Sequence, residues 1–178
     1  ALEKAISRIK KRDAMQTMKK RIDYYLYTGK EKLFRDIVFG IVLEEQTIKE
    51  KMHEHKVYIE NYSLLMFEMN LEKEMTHKIL KSDFPDIFKN YLKTAFADYK
   101  HEIFMTDYNT FNVIIAFDDI DDTVNIRNIV RICHNSINVA DSFMDYSIKV
   151  GISQVHNSIL ELREAYNESK TALEQKFY

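Results

Sequence analysis

The sequence predicts an α+β fold in which a mainly antiparallel sheet has helices packed on one face. Short runs of strand length, rich in aromatic and β-branched residues, alternate with longer segments of helical spacing. Their order, βααββαβα, builds such a sheet when the crossovers are long. With only three Gly and one Pro in 178 residues, the chain is also expected to be rich in helix. We expect a long linker or dimerisation helix over residues 1–29, a helical hairpin over 30–57 and the α+β domain over 58–178.

Composition favours a soluble, cytoplasmic protein. No apolar stretch approaches the roughly 18 consecutive residues of a membrane span, and the N-terminus lacks the apolar run of a signal peptide. Cys133 is the single cysteine, which rules out an internal disulfide and agrees with a reducing compartment. We interpret Cys133 as a thiol of the core.

The first 28 residues are predicted to form one helix that stops at Gly29, because they lack Gly and Pro and space their apolar residues by three and four. Residues 1–30 hold nine Lys/Arg against three Asp/Glu. This asymmetry fits a nucleic-acid or membrane surface, or simply a solvated helix face, and we favour a helix that packs on a partner with its basic residues outward. A short coiled coil between two subunits and a single surface helix both remain open. The expected dimer contacts are Leu2, Ile6, Ile9, Met18 and Ile22.

A helical hairpin and a central strand are expected next. Residues 30–42 and 44–55 show helical apolar spacing with a break near Gly40. The continuous apolar run over residues 62–68 is typical of a strand covered on both faces. Helices are then predicted over residues 71–80 and 85–99.

A β-hairpin is the centre of the predicted sheet. Its strands are residues 103–106 and 111–117, and its polar tip over residues 107–110 is expected to be a turn of about four residues. Hairpin tips on rigid strands often carry function, so we expect any ligand chemistry there.

Four aspartates follow the hairpin. They either hold a divalent cation or, as we favour, place Asp122 as the cap of a helix over residues 123–143. The aspartates are Asp118, Asp119, Asp121 and Asp122.

A strand over residues 147–155 is predicted next, with Gly151 marking a bulge or a close backbone approach.

The last helix is predicted to open with a capping box of Ser158 and Glu161. The predicted buried face of this helix is Ile159, Leu162, Tyr166, Ser169, Leu173 and Phe177.

Histidines do not pair at metal spacing along the chain, and we assign them to the surface or to satisfied core positions. The histidines are His53, His55, His77, His101, His134 and His156.

The element order and the segment IKVGISQVHNSILELREAYNESKTALEQKFY resemble the degenerate GGDEF-like middle domain of AraC-type response regulators. The VGIS strand and the LxxxYxxxxxAL spacing at Leu162, Tyr166, Ala172 and Leu173 carry the resemblance. The opening ALEKAISRIKKR is similar to a helix that leaves a receiver domain. The resemblance implies a parent chain of the two-component type, in which this module connects a receiver domain to a helix-turn-helix domain and only the latter binds DNA.

The same resemblance implies that catalysis has been lost. Residues 107–111 stand where diguanylate cyclases have Gly-Gly-Asp-Glu-Phe. Side chains at Asp107 and Tyr108 obstruct the close backbone approach that glycines allow, and Asn109 and Thr110 are neutral where carboxylates hold metal ions. We therefore expect no enzyme activity, no metal and no cofactor.

Two functions remain open. The favoured one is a non-catalytic regulatory and dimerisation module of an AraC-type transcriptional response regulator, which acts as a homodimer. The alternative is a small-molecule or nucleotide sensor domain of a transcription regulator, with a pocket retained from a nucleotide-binding ancestor. Its candidate ligand-binding residues are Glu68, Asn70, Asp107, Tyr108 and Asn109.

Overall fold

A computed structural model describes residues 1–26, 29–70, 84–118, 123–143 and 146–175, apart from the side chains of residues 22–26, 123, 124 and 143. The described residues form six helices and one four-stranded sheet. None of these helices is both long and apolar enough to cross a membrane. The helices are α1 Leu2–Leu26, α2 Gly29–Val38, α3 Glu45–Glu54, α4 Phe84–Ala95, α5 Thr123–Phe143 and α6 Leu162–Glu174, which a short 3₁₀ turn at Ile159–Glu161 precedes. The strands are β1 Asn61–Met69, β2 His101–Asp107, β3 Thr110–Phe117 and β4 Ile148–Ile152.

The sheet is antiparallel throughout and has the order β2-β3-β1-β4. Strand β3 lies between β1 and β2, and β1 lies between β3 and β4, so each crossover skips one strand. This is the split βαβ arrangement of ferredoxin-like folds, and it confirms the predicted α+β class. The predicted helix over residues 71–80 lies outside the described residues.

Helices cover both faces of the sheet, so the prediction of helices on one face is wrong. On one face, α4 and α5 pack on β1 residues that include Leu65 and Phe67. On the other face, α2, α3 and α6 pack on β1 residues that include Leu64 and Met66. The physical reason is the uninterrupted apolar run of β1, because successive strand residues point to opposite faces and both sets must be buried. The predicted double-sided burial of residues 62–68 is confirmed.

The three glycines singled out from the sequence hold special backbone positions, and Gly29 has a left-handed φ of +54°. Gly40 has a left-handed φ of +70° just after α2, where the predicted helical hairpin breaks. Gly151 lies on β4 where α6 approaches the sheet, and a Cβ there would stand 2.0 Å from the carbonyl oxygen of Ser169. The predicted close backbone approach at Gly151 is therefore confirmed. The two predicted domain boundaries stay a prediction, although α2 and α3 share a core with the sheet.

Candidate functional site

The tip of the β2–β3 hairpin is shorter than the predicted turn. Only Tyr108 and Asn109 lie between the strands, because Asp107 pairs with Thr110. The Asp107 carboxylate accepts a hydrogen bond from the Tyr108 amide at 2.7 Å. The Asn109 carbonyl accepts one from the Met69 amide at 2.8 Å, which ties the tip back onto the end of β1. Asp107 and Tyr108 are exposed at this turn.

Three of the five candidate ligand-binding residues come together where β1 ends. Glu68 lies opposite Thr110 in the β1–β3 ladder, Asn109 precedes Thr110, and Asn70 follows β1 directly. Protein partners occupy the Asn109 side chain. Its nitrogen donates to the Met69 carbonyl at 3.4 Å, and its oxygen accepts from the Thr110 hydroxyl at 3.1 Å. The Asn109 side chain thus fixes the shape of the tip.

The charge at this end of the sheet is mixed. Glu68 pairs across the sheet with the exposed Lys149 of β4, and neighbouring opposite charges in a sheet attract. Within the described ranges, no three His, Cys, Asp or Glu side chains are placed to hold a metal ion. Asp118 is exposed, while the other three clustered aspartates, the predicted cap Asp122 among them, lie outside the described residues.

A cleft of about 870 Å³ opens at the opposite end of the sheet, where β1 begins and β3 ends. Its walls carry charges of both signs. The basic residues include Lys49 and Lys100, and the acidic residues include Asp98 and Asp118. These residues come from separate chain segments that share no motif. No sequence pattern therefore indicates this cleft, and the predicted ligand site lay at the hairpin tip instead.

A buried histidine joins the β4–α6 loop to α6. The Nδ1 atom of His156 lies 2.9 Å from a carboxylate oxygen of Glu161, and its Nε2 atom lies 3.0 Å from one of Glu168. The ring stacks on Tyr62 of β1 with ring centroids 5.9 Å apart. Burial acts to lower the pKa of His156, but the hydrogen bonds and charges of Glu168 and Glu161 outweigh it and raise the pKa. The imidazolium satisfies both contacts, since both of its nitrogens donate.

Only half of the predicted capping box is formed, because Glu161 belongs to the His156 cluster. The Ser158 hydroxyl does accept from the Leu160 amide at 3.3 Å, as a cap should. The Glu161 carboxylate, however, contacts His156 rather than completing the box. Spacings of five and twelve residues between His156 and its two glutamates match no metal or catalytic motif, so the sequence did not indicate the cluster.

Helix α1 has one anchored face and one exposed face. Met18 is buried in the core that α4 and α5 share with the sheet, and the Arg21 guanidinium lies 3.7 Å from the Asp86 carboxylate of α4. Met18 is therefore buried within its own chain, so the prediction that Met18 is a dimer contact is wrong. The side chain of Ile22, another predicted contact, lies outside the described residues.

The other predicted dimer contacts lie on the opposite side of α1. Leu2, Ile6 and Ile9 are 75%, 45% and 59% exposed. At about 100° per residue they form one stripe, which points about 150° away from Met18 around the helix. Because Met18 faces the core, this stripe faces away from its own domain. We call Leu2, Ile6 and Ile9 the α1 stripe.

Comparison of the chain with protein-family models gives no match, and comparison with curated proteins gives none either. We therefore infer the function from the geometry of α1 and of the hairpin tip, together with the sequence resemblance.

Proposed function

We propose that this chain is a non-catalytic regulatory and dimerisation module of an AraC-type transcriptional response regulator. In that role it couples a receiver domain, joined to α1, to a DNA-binding domain joined to the segment after α6. The parent protein would work in the cytoplasm in two-component signal transduction, and DNA would be contacted by its helix-turn-helix domain alone.

The division of α1 into two faces is the observation that carries this proposal. Met18 and Arg21 hold the C-terminal half of the helix on α4, so a displacement of the helix is transmitted to the core. The α1 stripe is apolar and exposed on the other side. An exposed row of large apolar side chains is typical of a surface that binds a partner. One continuous helix thus joins the proposed interface to the core, as a coupling module requires.

The hairpin tip supports a non-catalytic role. The Asp107 carboxylate binds the backbone of the turn, and the Asn109 side chain binds Met69 and Thr110. Side chains that a cyclase would need for metal ions and nucleotide are here replaced by groups that hold the turn together. The Glu68 carboxylate, which lies beside the tip, has Lys149 opposite it in the sheet.

Self-association through α1 tests the proposal. We expect the Ile6→Asp variant to raise the dimer Kd at least about a hundredfold, because each dimer loses two buried isoleucines at roughly 1.5–3 kcal/mol each. Sedimentation velocity over a concentration series measures this. Ser7→Asp is the matched control, since it adds the same charge at the next exposed residue but off the stripe. A wild-type chain that stays monomeric at high concentration would contradict the proposal.

A small-molecule sensor is the second candidate, and the cleft at the start of β1 is what favours it. Its lining mixes acidic and basic side chains and selects no single class of ligand. The α1 stripe, in contrast, has one evident use, so we rank the coupling and dimerisation module first.

A further inference from the structure

The loop between α2 and α3 exposes three large apolar side chains. Phe39, Ile41 and Leu43 are 49%, 69% and 65% exposed. The Phe39 ring packs against Tyr166 of α6, with ring centroids 6.1 Å apart, and this contact fixes one edge of the loop on the domain. Single exposed apolar residues are ordinary, but three within five positions form a patch typical of an interaction surface. We call these three residues the 39–43 patch.

Acidic residues border the 39–43 patch. Glu44 and Glu45 follow it directly and are exposed. Residues 39–54 together carry four Glu against two Lys. The Arg163 guanidinium lies beside Gly40 within the patch. With Arg163 included, the patch combines an apolar centre with a small net negative charge.

The segment that carries the α1 stripe has the opposite net charge. Residues 1–17 carry five Lys/Arg against two acidic residues. Lys10 and Arg12 flank the stripe on its two sides, each about 75–90° from its centre around the helix. Glu3 lies on the Lys10 side at about 90°, and Asp13 continues the line of the stripe, so the excess of positive charge belongs to residues 1–17 as a whole. The stripe and the patch are thus both apolar, and the segments that carry them have net charges of opposite sign.

Two α1 helices match each other less well. The α1 stripe places three apolar residues over eight positions, and the next position in the heptad is Asp13. A coiled coil needs apolar residues sustained over about three to four heptads. Two copies of this basic helix would also repel each other. A second α1 is therefore a poor partner for the stripe.

We propose that the α1 stripe of one copy docks on the 39–43 patch of a second copy, and that the second copy returns the same contact. Within one chain both surfaces are exposed, so they do not cover each other. A two-fold dimer with two identical contacts closes on itself and leaves neither surface free. This inference rests on the proposed dimerisation and names the surfaces that form it.

A mixing experiment tests the reciprocal contact. We expect Ile6→Asp in the stripe and Ile41→Asp in the patch each to raise the dimer Kd at least about a hundredfold. An equimolar mixture should recover dimers at least about tenfold tighter than either variant alone. In the heterodimer one contact joins an intact stripe to an intact patch, whereas each homodimer has two damaged contacts. Sedimentation with one variant fluorescently labelled detects the heterodimer directly.

Each other result overturns the proposal in a recognisable way. If Ile6→Asp is monomeric while Ile41→Asp dimerises like the wild type, two α1 helices pair, and the proposed dimerisation survives without this interface. If both variants are monomeric and the mixture is too, the reciprocal contact is excluded. If the wild type is monomeric, both proposals fail. Circular dichroism and urea midpoints verify folding, and Ile9→Asp mixed with Leu43→Asp repeats the test at independent positions.

Discussion

Gly151 lies where α6 comes close to the backbone of the sheet. A Cβ at this position would stand 2.0 Å from the Ser169 carbonyl oxygen and 2.9 Å from the Leu173 amide nitrogen. Both are backbone atoms, so they yield only if the helix itself moves. The hydroxyl of Ser169 also donates to the Leu64 carbonyl of β1 at 2.8 Å, and such a movement would break that bond. Glycine is thus required here for its lack of a side chain.

We predict that Gly151→Ala lowers the free energy of unfolding by more than about 3 kcal/mol, above the roughly 1–3 kcal/mol usual for an overpacked site, because both clashing atoms belong to the backbone. Urea denaturation measures the change as a lower midpoint. Gly29→Ala is the control: nothing lies within 4 Å of a Cβ there, so its cost is limited to the left-handed φ of +54°, roughly 1–2 kcal/mol. Equal or smaller destabilisation by Gly151→Ala would contradict the packing argument.

The sequence indicates a residue's role where the cause is local. A glycine inside a strand pattern indicates close approach at any fold, and Ser158 before a helical run indicates a cap. The partners of Met18, in contrast, lie in segments that only the folded chain brings near. Met18 lies in the core that α4 and α5 share with the sheet, and Glu161 contacts His156, five residues before it, at a spacing that matches no known motif. No spacing within the sequence predicts either contact.

At the scale of elements, His156 holds the loop before α6 on β1. Its backbone pairs with that of Tyr62 in an isolated bridge, with hydrogen bonds of 2.9 and 2.8 Å. The Tyr62 hydroxyl donates to the Ser158 carbonyl at 3.0 Å. The imidazole meanwhile contacts Glu161 and Glu168, which places α6 relative to this loop. The attachment of α6 to the sheet therefore includes a titratable group.

We predict that the stability contributed by His156 depends on pH. Its pKa is raised in the folded state, so the stabilisation is complete below the unfolded value of about 6.5 and is lost as the pH rises through the folded pKa. The difference in unfolding free energy between wild type and His156→Gln should thus be larger at pH 6 than at pH 9. Urea denaturation at both values measures it. His134→Gln, at an exposed position of α5, should show no such difference.

The elements themselves were largely predictable. The apolar run of β1 and the hairpin alternation specify strands by their own composition, and α4, α5 and α6 follow from helical spacing. The prediction that helices lie on one face of the sheet was wrong. The β1 run indicated the correct arrangement, because burying both sides of a strand requires helices on both faces. Which face a helix covers depends on the path of its crossover connection, and the local spacing of apolar residues does not predict that path.

At the scale of the whole molecule, charge is divided between α1 and the rest of the chain. Residues 1–30 carry a net charge of +6, and the remaining residues carry −8. Association between the α1 stripe and the 39–43 patch brings these opposite charges together, whereas pairing of two α1 helices brings like charges together. The two arrangements therefore respond to salt with opposite sign.

We predict that added NaCl weakens the dimer. The Debye length falls from about 10 Å at 0.1 M salt to about 3 Å at 1 M, which screens attraction between exposed charges. Sedimentation at these two salt concentrations should show a dimer Kd that increases several-fold. Lys10→Gln should flatten this dependence because it removes one of the basic residues beside the stripe, while Lys149→Gln on β4 should leave it unchanged. A dimer that tightens with salt would indicate like-charged surfaces in contact, and would exclude the docking of α1 on the acidic border of the patch.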